Sequence, residues 1–392
     1  MYVTEFVNIP EELERQLKRD RLVLFVGAGA SIPSGLPSFF TLADRLAEQS
    51  AHTGPTKQDA DRLDYFIGRL SDNHFNAHER TKDLFSEKQP TFNDEHKAIM
   101  SLASACKTPR IITTNYDNLL AQAAQANHFD YGEQYFAPVL PLGRDFHGLV
   151  HLHGSILKSS KNMVLDDKDF GKAYFTDGWA TRFLTEVFAN YTVLFIGYSI
   201  NDPVIRYLAL GLHSNGPKHF ILLGKDSQVS KEEELSDNYE HLQFETIEYP
   251  VQDGSHHALV DALNAWTERE TQSASDCIRK TRKLVKAGIP QTQYATDTLL
   301  NELSTPSGLE TFIRTATEPT WINWLYEQKQ YSALFDGTEP QTPQQQQLLY
   351  WITQICDRNP NGENITLQYI KLCQQKLSNA VFQSFSTSSA VP

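Results

Sequence analysis

Short, strongly apolar runs that end in glycine or in small polar residues dominate the hydrophobic pattern of this chain. Residues 22–26 (LVLFV) lead into the sequence GAGAS at 27–31, and residues 192–196 (TVLFI) lead into GYS at 197–199. Further runs lie at 109–113, 149–153, 220–224 and 245–249, of which the last is expected to form an edge strand. Apolar runs bounded in this way are typical of strands buried on both faces of a parallel sheet.

Between these runs the apolar residues recur at helical spacing. Residues 39–50 carry Phe39, Leu42 and Leu46 on one helical face, and residues 170–190 and 255–267 show the same periodicity. Strands that alternate with helices predict a doubly wound, Rossmann-like α/β fold with a parallel sheet. Residues 51–105 are polar and helical in pattern, without a strand-like run, and we expect them to form a helical insertion that could cover the sheet as a lid.

The composition changes near residue 270. Residues 271–392 are rich in Gln and Thr and show helical periodicity without strand-like runs. We therefore predict a domain at 1–270 and a mainly helical C-terminal domain at 271–392, or alternatively the start of a longer helical array. A basic cluster between residues 279 and 286 indicates a solvated helix face, with contact to an anion as the alternative.

Net charge and cysteine spacing exclude several classes of protein. The formal net charge is −13, which argues against direct nucleic-acid binding because phosphate contacts need local positive charge. No stretch approaches the roughly 18 apolar residues that a membrane span requires. The four cysteines are far apart and form no C-x-x-C pair, so neither a zinc ribbon nor a disulfide framework is expected. These features favour a reduced, cytoplasmic protein without a metal centre.

The glycine turn after residue 26 is the first candidate site. Gly27 and Gly29 would let backbone approach a ligand closely, and the helix expected after Pro37 would direct its N-terminal amides toward the same place. Strand, Gly-x-Gly turn and helix together form a diphosphate cradle of the dinucleotide-binding kind. A tight turn without a ligand remains the alternative for this stretch.

A second candidate lies at the end of the strand at 109–113. Thr114, Asn115, Asp117 and Asn118 cluster where the strand ends and a helix begins. Ligands bind at the carboxyl ends of strands in sheets of this kind. Helix capping by Asn115 or Asp117 is the alternative, but one cap needs only one such residue. The cluster therefore favours a site.

The third candidate is His153, which precedes Gly154 and Ser155. Alternation along a strand at 149–153 predicts that His151 and His153 share one face. A histidine at a strand end is suited to act as a base because its pKa lies near neutral pH. We interpret His151 as a structural residue.

These stretches together resemble the sirtuin family in order and approximate spacing, over about residues 10–270. The resemblance rests on GAGAS at 27–31 with GLP at 35–37, TTNYD at 113–117, HG at 153–154 and GYS at 197–199. It implies NAD⁺ bound as a substrate across the sheet. In that arrangement Asn115 and His153 would be catalytic. The residues in contact with NAD⁺ would be Gly27, Ala28, Gly29, Ser31, Pro37, Thr114, Asp117, Gly197 and Ser199.

The family resemblance also implies individual roles. Asn115 would hold the nicotinamide-side ribose and a water molecule below the N-glycosidic bond, and Asp117 would hold the carboxamide. His153 would contact a ribose hydroxyl and act as a base. Ser31 would belong to the diphosphate cradle, and Ser199 would lie at the adenosine side.

Departures from the sirtuin pattern narrow the expected activity. The four-cysteine zinc module of protein-deacylating sirtuins is missing, and Ser38 and Phe40 stand where those enzymes have an acid and an arginine. The chain thus looks like the zinc-less, sirtuin-like NAD⁺ hydrolases of bacterial antiphage defence, which act by abortive infection. The alternatives are a deacylase or ADP-ribosyltransferase that uses the same site, and a non-catalytic sensor of NAD⁺ or ADP-ribose.

The resemblance also implies partners. We expect a homo-oligomer formed through the sirtuin-like and C-terminal domains. A regulatory partner, such as a hexameric translocase-type ATPase or a phage protein, would restrain the enzyme until infection.

Overall fold

The computed structural model describes residues 2–71, 75–87, 89–198, 216–226, 244–335 and 342–358. The chain divides into two compact units, one up to Thr271 and a second from Gln272 onward.

A seven-stranded sheet forms the centre of the first unit. Its strands are β1 (Leu22–Val26), β2 (Arg110–Thr113), β3 (Glu133–Phe136), β4 (Gly148–His151), β5 (Thr192–Ile196), β6 (His219–Asp226) and β7 (Phe244–Val251). All neighbouring strands pair in parallel, in the order β3-β4-β2-β1-β5-β6-β7. The predicted doubly wound, Rossmann-like α/β fold is confirmed, and β7 is the edge strand expected at 245–249.

Helices connect these strands and cover the sheet. In the first unit they are α1 (Glu11–Lys18), α2 (Phe39–Gln49), α3 (Leu63–Ser71), α4 (Ala77–Glu87), α5 (Asp94–Ala105), α6 (Leu119–Ala126), α7 (Asp167–Gly171), α8 (Trp179–Asn190) and α9 (His257–Thr271). Short 3-10 segments lie at Ala28–Ser34, Lys57–Arg62 and Ser160–Asn162, and a π-helical turn lies at Lys172–Thr176.

Alternating residues of the buried strands supply two cores on opposite faces of the sheet. Leu24 of β1 packs in one cluster with residues of α1, α5, α6 and α9, whereas Phe25 packs in the other with residues of α8. Because both faces are covered, β1 is buried along its full length. This explains why the strand is a continuous apolar run rather than an alternating one.

The segment predicted as a helical insertion consists of two structurally different parts. Helices α3 and α4 share a small core with α2. Helix α5 instead contributes its apolar residues to the main core beneath the sheet, beside α6 and α9. The side chain of Asn93 caps α5 by accepting from the backbone amides of Glu95 and His96, which fixes where the helix begins.

One strand has no counterpart in the sequence-based prediction. Strand β3 has only four residues, Glu133–Phe136, and each of them is at least partly exposed. A short edge strand of this composition lacks the apolar run that identifies buried strands. Pairing with β4, rather than local sequence preference, accounts for its extended conformation.

The second unit is helical throughout its described residues. It contains α10 (Ala274–Ala287), α11 (Gln293–Leu303), α12 (Pro306–Thr315), α13 (Thr320–Glu327) and α14 (Pro343–Arg358), with a 3-10 segment at Lys329–Phe335. Phe312, Trp321, Trp324 and Trp351 pack together at its centre, and the Trp351 indole donates to the carbonyl of Ala316. Across the described parts of both units, no helix combines the length and hydrophobicity that crossing a membrane demands.

Candidate active site

The two glycine turns meet backbone to backbone at the carboxyl ends of β1 and β5. The amide of Gly27 donates to the carbonyl of Ile196 (2.9 Å), and the amide of Gly29 donates to the carbonyl of Gly197 (2.8 Å). A Cβ atom at Gly29 would lie 2.6 Å from that carbonyl oxygen, and Gly197 has a φ of +72°. The close approach therefore requires glycine at both positions.

The structure places a 3-10 segment, Ala28–Ser34, directly after the first turn. The predicted helix follows as α2, capped by the Ser38 hydroxyl, which accepts from the amide of Thr41. Ala28, Gly29, Ser31 and Pro37 line one cavity. Gly27 is not part of the lining, because the ring of Tyr198 lies against it.

Asn115 is held by the glycine turn. Its Nδ2 atom donates to the carbonyl of Gly27 (2.9 Å) and to the hydroxyl of Ser31 (3.1 Å). Since a carbonyl can only accept, the amide nitrogen must face Gly27, and this fixes the orientation of the carboxamide. The Oδ1 atom of Asn115 is buried and has no hydrogen-bond partner in the described part of the chain. A ligand that donates a hydrogen bond would satisfy it.

Asp117 lies next to Asn115 and also contacts the glycine turn. The Ser31 hydroxyl donates to its Oδ2 atom (2.9 Å), and the amide of Leu119 donates to Oδ1 (2.9 Å). Burial raises the pKa of Asp117, while these two hydrogen bonds act in the opposite direction. The bond from Leu119 also helps to begin α6, so this residue serves the helix start as well as the cavity wall.

His153 is buried and also lines the cavity. Its Nε2 atom lies 2.8 Å from the Tyr174 hydroxyl, and its ring packs edge-on against Phe170. Burial lowers the pKa of His153 to about 3, so the imidazole is neutral at physiological pH. A neutral ring can accept a proton or a hydrogen bond from a ligand.

The expectation that His151 and His153 share one strand face is wrong. Strand β4 ends at His151, so the alternation does not extend to His153. His151 stacks on Phe136 and contacts the side-chain amide of Gln134 (3.0 Å), away from the cavity. Its surroundings are those of a packed residue between β3 and β4.

One cavity of about 1920 Å³ brings most of the predicted residues together. Small-molecule pockets typically measure about 300–1,000 Å³, so this space suits an extended ligand. Of the sequence-predicted residues it is lined by Ala28, Gly29, Ser31, Pro37, Thr114, Asn115, Asp117, His153 and Gly197. The Thr114 hydroxyl lies 2.7 Å from that of Tyr198, which joins the ends of β2 and β5. Ser199 lies outside the described residues.

Sequence reasoning missed many residues of the cavity wall, among them Tyr174 and Glu95. Tyr174 contacts His153 from a π-helical turn, and no local motif marks it. Glu95 is 6% exposed, lies in the first turn of α5, and faces the cavity near Tyr249. Burial raises the pKa of Glu95 to about 7. Glu95 belongs to the segment that the sequence predicts as an insertion, and the local pattern does not indicate that it lines the same cavity as the glycine turn.

One cluster of potential metal ligands lies close to the cavity. Atoms of His78, Asp166 and Asp169 lie within 4.8 Å of one another. The Asp169 carboxylate already accepts from His78 (2.6 Å) and from the amides of Leu165 and Asp166. Asp166 caps α7 by accepting from the amide of Asp169. These bonds account for the cluster as a link between α4 and α7, and the expected absence of a metal centre stays a prediction.

The fold and the cavity define a class of protein. Residues 109–247 match the SIR2-like domain family, a segment that includes Asn115, His153 and β5. The match covers about a third of the chain, and it confirms the resemblance to the sirtuin family drawn from its motifs.

Three curated relatives add detail. The chain is 29% identical over 219 residues to uncharacterized protein y4cA of Sinorhizobium fredii (strain NBRC 101917 / NGR234), covering 51% of this chain and 18% of that protein. It is 28% identical over 216 residues to defense-associated sirtuin 2 of Bacillus subtilis, covering 52% and 20%. It is 22% identical over 238 residues to NAD(+) hydrolase ThsA of Bacillus cereus (strain MSX-D12), covering 59% and 48%. The matches thus span about a fifth of the first two relatives and about half of the third.

Proposed function

We propose that this protein is an NAD⁺ glycohydrolase that converts NAD⁺ and water to ADP-ribose, nicotinamide and a proton. The observation that carries the proposal is that Asn115, His153 and the glycine turn line one cavity, and that the buried Oδ1 atom of Asn115 has no hydrogen-bond partner among the described residues. The name of the ThsA relative, NAD(+) hydrolase, supports the same activity.

The glycine turn suits the diphosphate part of the dinucleotide. Gly29 and Ala28 line the cavity without large side chains, so backbone can approach phosphate oxygens closely. The turn lies between β1 and β5, where the order of strands along the sheet changes direction. Ligands of doubly wound sheets bind at such switch points. The adenosine part would extend toward β6 and β7, and the nicotinamide part toward β2 and β4.

The reacting end would lie between Asn115 and His153. Oδ1 of Asn115 can only accept, so it would hold an O–H group, either a ribose hydroxyl or the attacking water. The water oxygen bonds to C1′ of the ribose while the C1′–N bond breaks, and the bonding electron pair leaves with nicotinamide. The transition state resembles an oxocarbenium ion, as in other glycoside cleavage. His153, neutral at the start, would take up the proton that the water releases.

Incubation of the purified chain with NAD⁺, followed by chromatography for nicotinamide and ADP-ribose, tests the proposal. Equal release of both products is expected. Asn115→Ala removes the acceptor for the O–H group and should lower kcat by about 10²–10³-fold. His153→Ala removes the proton acceptor and should lower kcat by about 10²–10⁴-fold. Full NAD⁺ loss with both variants would refute the site.

Matched controls separate chemistry from folding. Asn127→Ala removes an asparagine from the C-terminus of α6, where its side chain bonds only to the carbonyl of Ala123. His219→Leu removes a buried histidine from the start of β6, at the opposite end of the sheet from the glycine turn. Both controls should keep the rate of the unsubstituted protein.

The same assay distinguishes the two alternative functions. When an acyl-lysine peptide or a protein acceptor is added, a deacylase or ADP-ribosyltransferase would release nicotinamide and carry the ADP-ribosyl group to that acceptor, without an equal amount of free ADP-ribose. A sensor would bind NAD⁺ without releasing either product. Phe40 lines the cavity at the position where the sirtuin resemblance expects an arginine, which disfavours handling of an acyl-lysine in the same way.

We further propose that the activity serves antiphage defence by NAD⁺ depletion in the cytoplasm, as an abortive infection response. The printed name of the Bacillus subtilis relative, defense-associated sirtuin 2, supports this setting. Homo-oligomerisation, and restraint by a partner such as a translocase-type ATPase or a phage protein, belong to the same proposal. Sedimentation of the purified chain with and without NAD⁺ tests the first of these; a monomer under both conditions would contradict it.

A further inference from the structure

His96 lies behind the proposed site and has a defined tautomer. It occupies the first turn of α5 and is fully buried. The backbone amide of Asn93 donates to its Nδ1 atom (3.2 Å), so that nitrogen carries a lone pair. Burial lowers the pKa of His96 to about 4, and the neutral ring therefore carries its single proton on Nε2. Nε2 lies 3.1 Å from the Ser31 hydroxyl and must donate to it.

The Ser31 hydroxyl is consequently saturated. It has one hydrogen and two lone pairs. The hydrogen goes to Oδ2 of Asp117, whose other oxygen accepts from the amide of Leu119. The lone pairs accept from His96 and from Nδ2 of Asn115. Each of these three hydrogen bonds restricts the directions that the Ser31 hydroxyl can use for the other two.

This chain of bonds ends at the carboxamide of Asn115. Its nitrogen is fully used by Ser31 and the carbonyl of Gly27, while Oδ1 is buried and has no partner among the described residues. If Ser31 turned its hydrogen toward Asn115, the hydrogen bond from Nδ2 to Ser31 would be lost, and the Gly27 carbonyl alone would hold the carboxamide.

We propose that His96 is a positioning residue for hydrolysis: by donating to Ser31 it keeps a lone pair of that hydroxyl directed at Nδ2 of Asn115, and this second acceptor, together with the Gly27 carbonyl, holds the carboxamide so that Oδ1 accepts from a substrate hydroxyl or from the attacking water. The inference rests on the proposed function for the identity of that O–H group. A helix cap alone would require only the Nδ1 atom, which already accepts from Asn93. The Nε2 contact is additional, and it connects the cap to the cavity.

Two substitutions at this position separate positioning from packing. His96→Leu keeps an apolar bulk but removes both hydrogen bonds. His96→Gln can accept from the Asn93 amide through its oxygen and donate to Ser31 through its nitrogen, because the two amide heteroatoms are spaced much like the two ring nitrogens. His219→Leu is the control, since His219 is also buried and also accepts from a backbone amide, that of Val193.

The decisive measurements are kcat and KM for NAD⁺, and the affinities for ADP and ADP-ribose by calorimetry. His96→Leu should lower kcat, or the affinity for ADP-ribose, by roughly tenfold or more, the change that about 1.4 kcal/mol produces. ADP lacks the second ribose, so its affinity should not change. His96→Gln should restore most of the loss, and His219→Leu should show none. A loss in ADP-ribose affinity identifies the O–H group as a ribose hydroxyl, and a loss in kcat alone identifies it as water.

Other outcomes would overturn the inference. Unchanged kcat and ADP-ribose affinity in His96→Leu would show that Ser31 and Asn115 hold their orientation without it. An equal loss for ADP, or no restoration by His96→Gln, would indicate a structural role only. If the unsubstituted chain neither cleaves NAD⁺ nor binds ADP-ribose, the proposed function fails. The inference is then decided by ¹⁵N-histidine NMR, where a proton on Nδ1 of His96 refutes it and an Nε2 proton perturbed by Ser31→Ala supports it.

Discussion

The burial of Glu95 at the cavity wall allows a quantitative prediction of how the stability of the protein depends on pH. Glu95 is 6% exposed, and burial raises its pKa from 4.5 to about 7. When folding raises the pKa of a carboxyl group, that group contributes to the free energy of unfolding in full at pH values below its unfolded pKa. The contribution is lost as the pH rises through the folded pKa. The difference between these two pKa values corresponds to about 3 kcal/mol, most of which is lost between pH 5 and pH 8.

Glu95→Gln removes the titration while keeping the side-chain volume. The variant should therefore gain about 2–3 kcal/mol of unfolding free energy relative to the unsubstituted protein when the pH is raised from 5 to 8. For a unit of this size the gain corresponds to a rise in Tm of roughly 5–10 °C. Urea and thermal unfolding at the two pH values, followed by circular dichroism, measure it.

The neighbouring acid provides the control for this experiment. Asp94 lies in the same first turn of α5 but is exposed, so Asp94→Asn changes the charge at the helix start without relieving burial. It should show no comparable gain between pH 5 and pH 8. If the stability difference between Glu95→Gln and the unsubstituted protein is the same at both pH values, the argument that an ionised Glu95 is costly in this cavity wall is refuted.

Three further predictions follow from features of the two units. Gly29→Ala should cost about 1–3 kcal/mol and weaken ADP binding, because the new Cβ meets the carbonyl of Gly197 at 2.6 Å; calorimetry that shows unchanged binding would contradict it. The pKa of His153 is lowered to about 3, so this histidine stays neutral between pH 8 and pH 5. The value of kcat should therefore not fall over this range, as it would for a histidine base with an ordinary pKa. A pH–rate profile with an inflection near 6.5 that vanishes in His153→Ala would disprove this. Trp351→Ala should cost the second unit about 3–5 kcal/mol, seen as a lower urea midpoint by tryptophan fluorescence, and an unchanged midpoint would count against its central place in that core.

The sequence was sufficient for those parts of the fold that depend on local pattern. The run at 22–26 and the run at 192–196 are apolar throughout because β1 and β5 are covered on both faces, and such runs predict buried parallel strands. Short motifs then placed Asn115 and His153 at strand ends, where parallel topology brings them to one cavity. These features needed no knowledge of distant contacts.

Tertiary packing decided what the sequence could not predict. Strand β3 is polar, and only pairing with β4 makes it a strand. Helix α5 has the same polar, helical pattern as α3 and α4, yet it packs beneath the sheet. For that reason Glu95 and His96 were not recognised as neighbours of the glycine turn, although His96 contacts Ser31 across 65 positions of sequence.

The carboxamide of Asn115 also sets a rule for inhibitors of this cavity. Its nitrogen is committed to two acceptors and its buried oxygen has no partner among the described residues, so a molecule that reaches this side chain meets an oxygen lone pair. A compound that directs a hydroxyl or amine hydrogen at that oxygen gains a buried hydrogen bond, whereas a compound that places a carbonyl or ether oxygen there meets repulsion between lone pairs. Dinucleotide mimics with a carbocyclic or aza-sugar ring that retains its hydroxyls are therefore better starting points for chemistry than mimics in which those hydroxyls are capped.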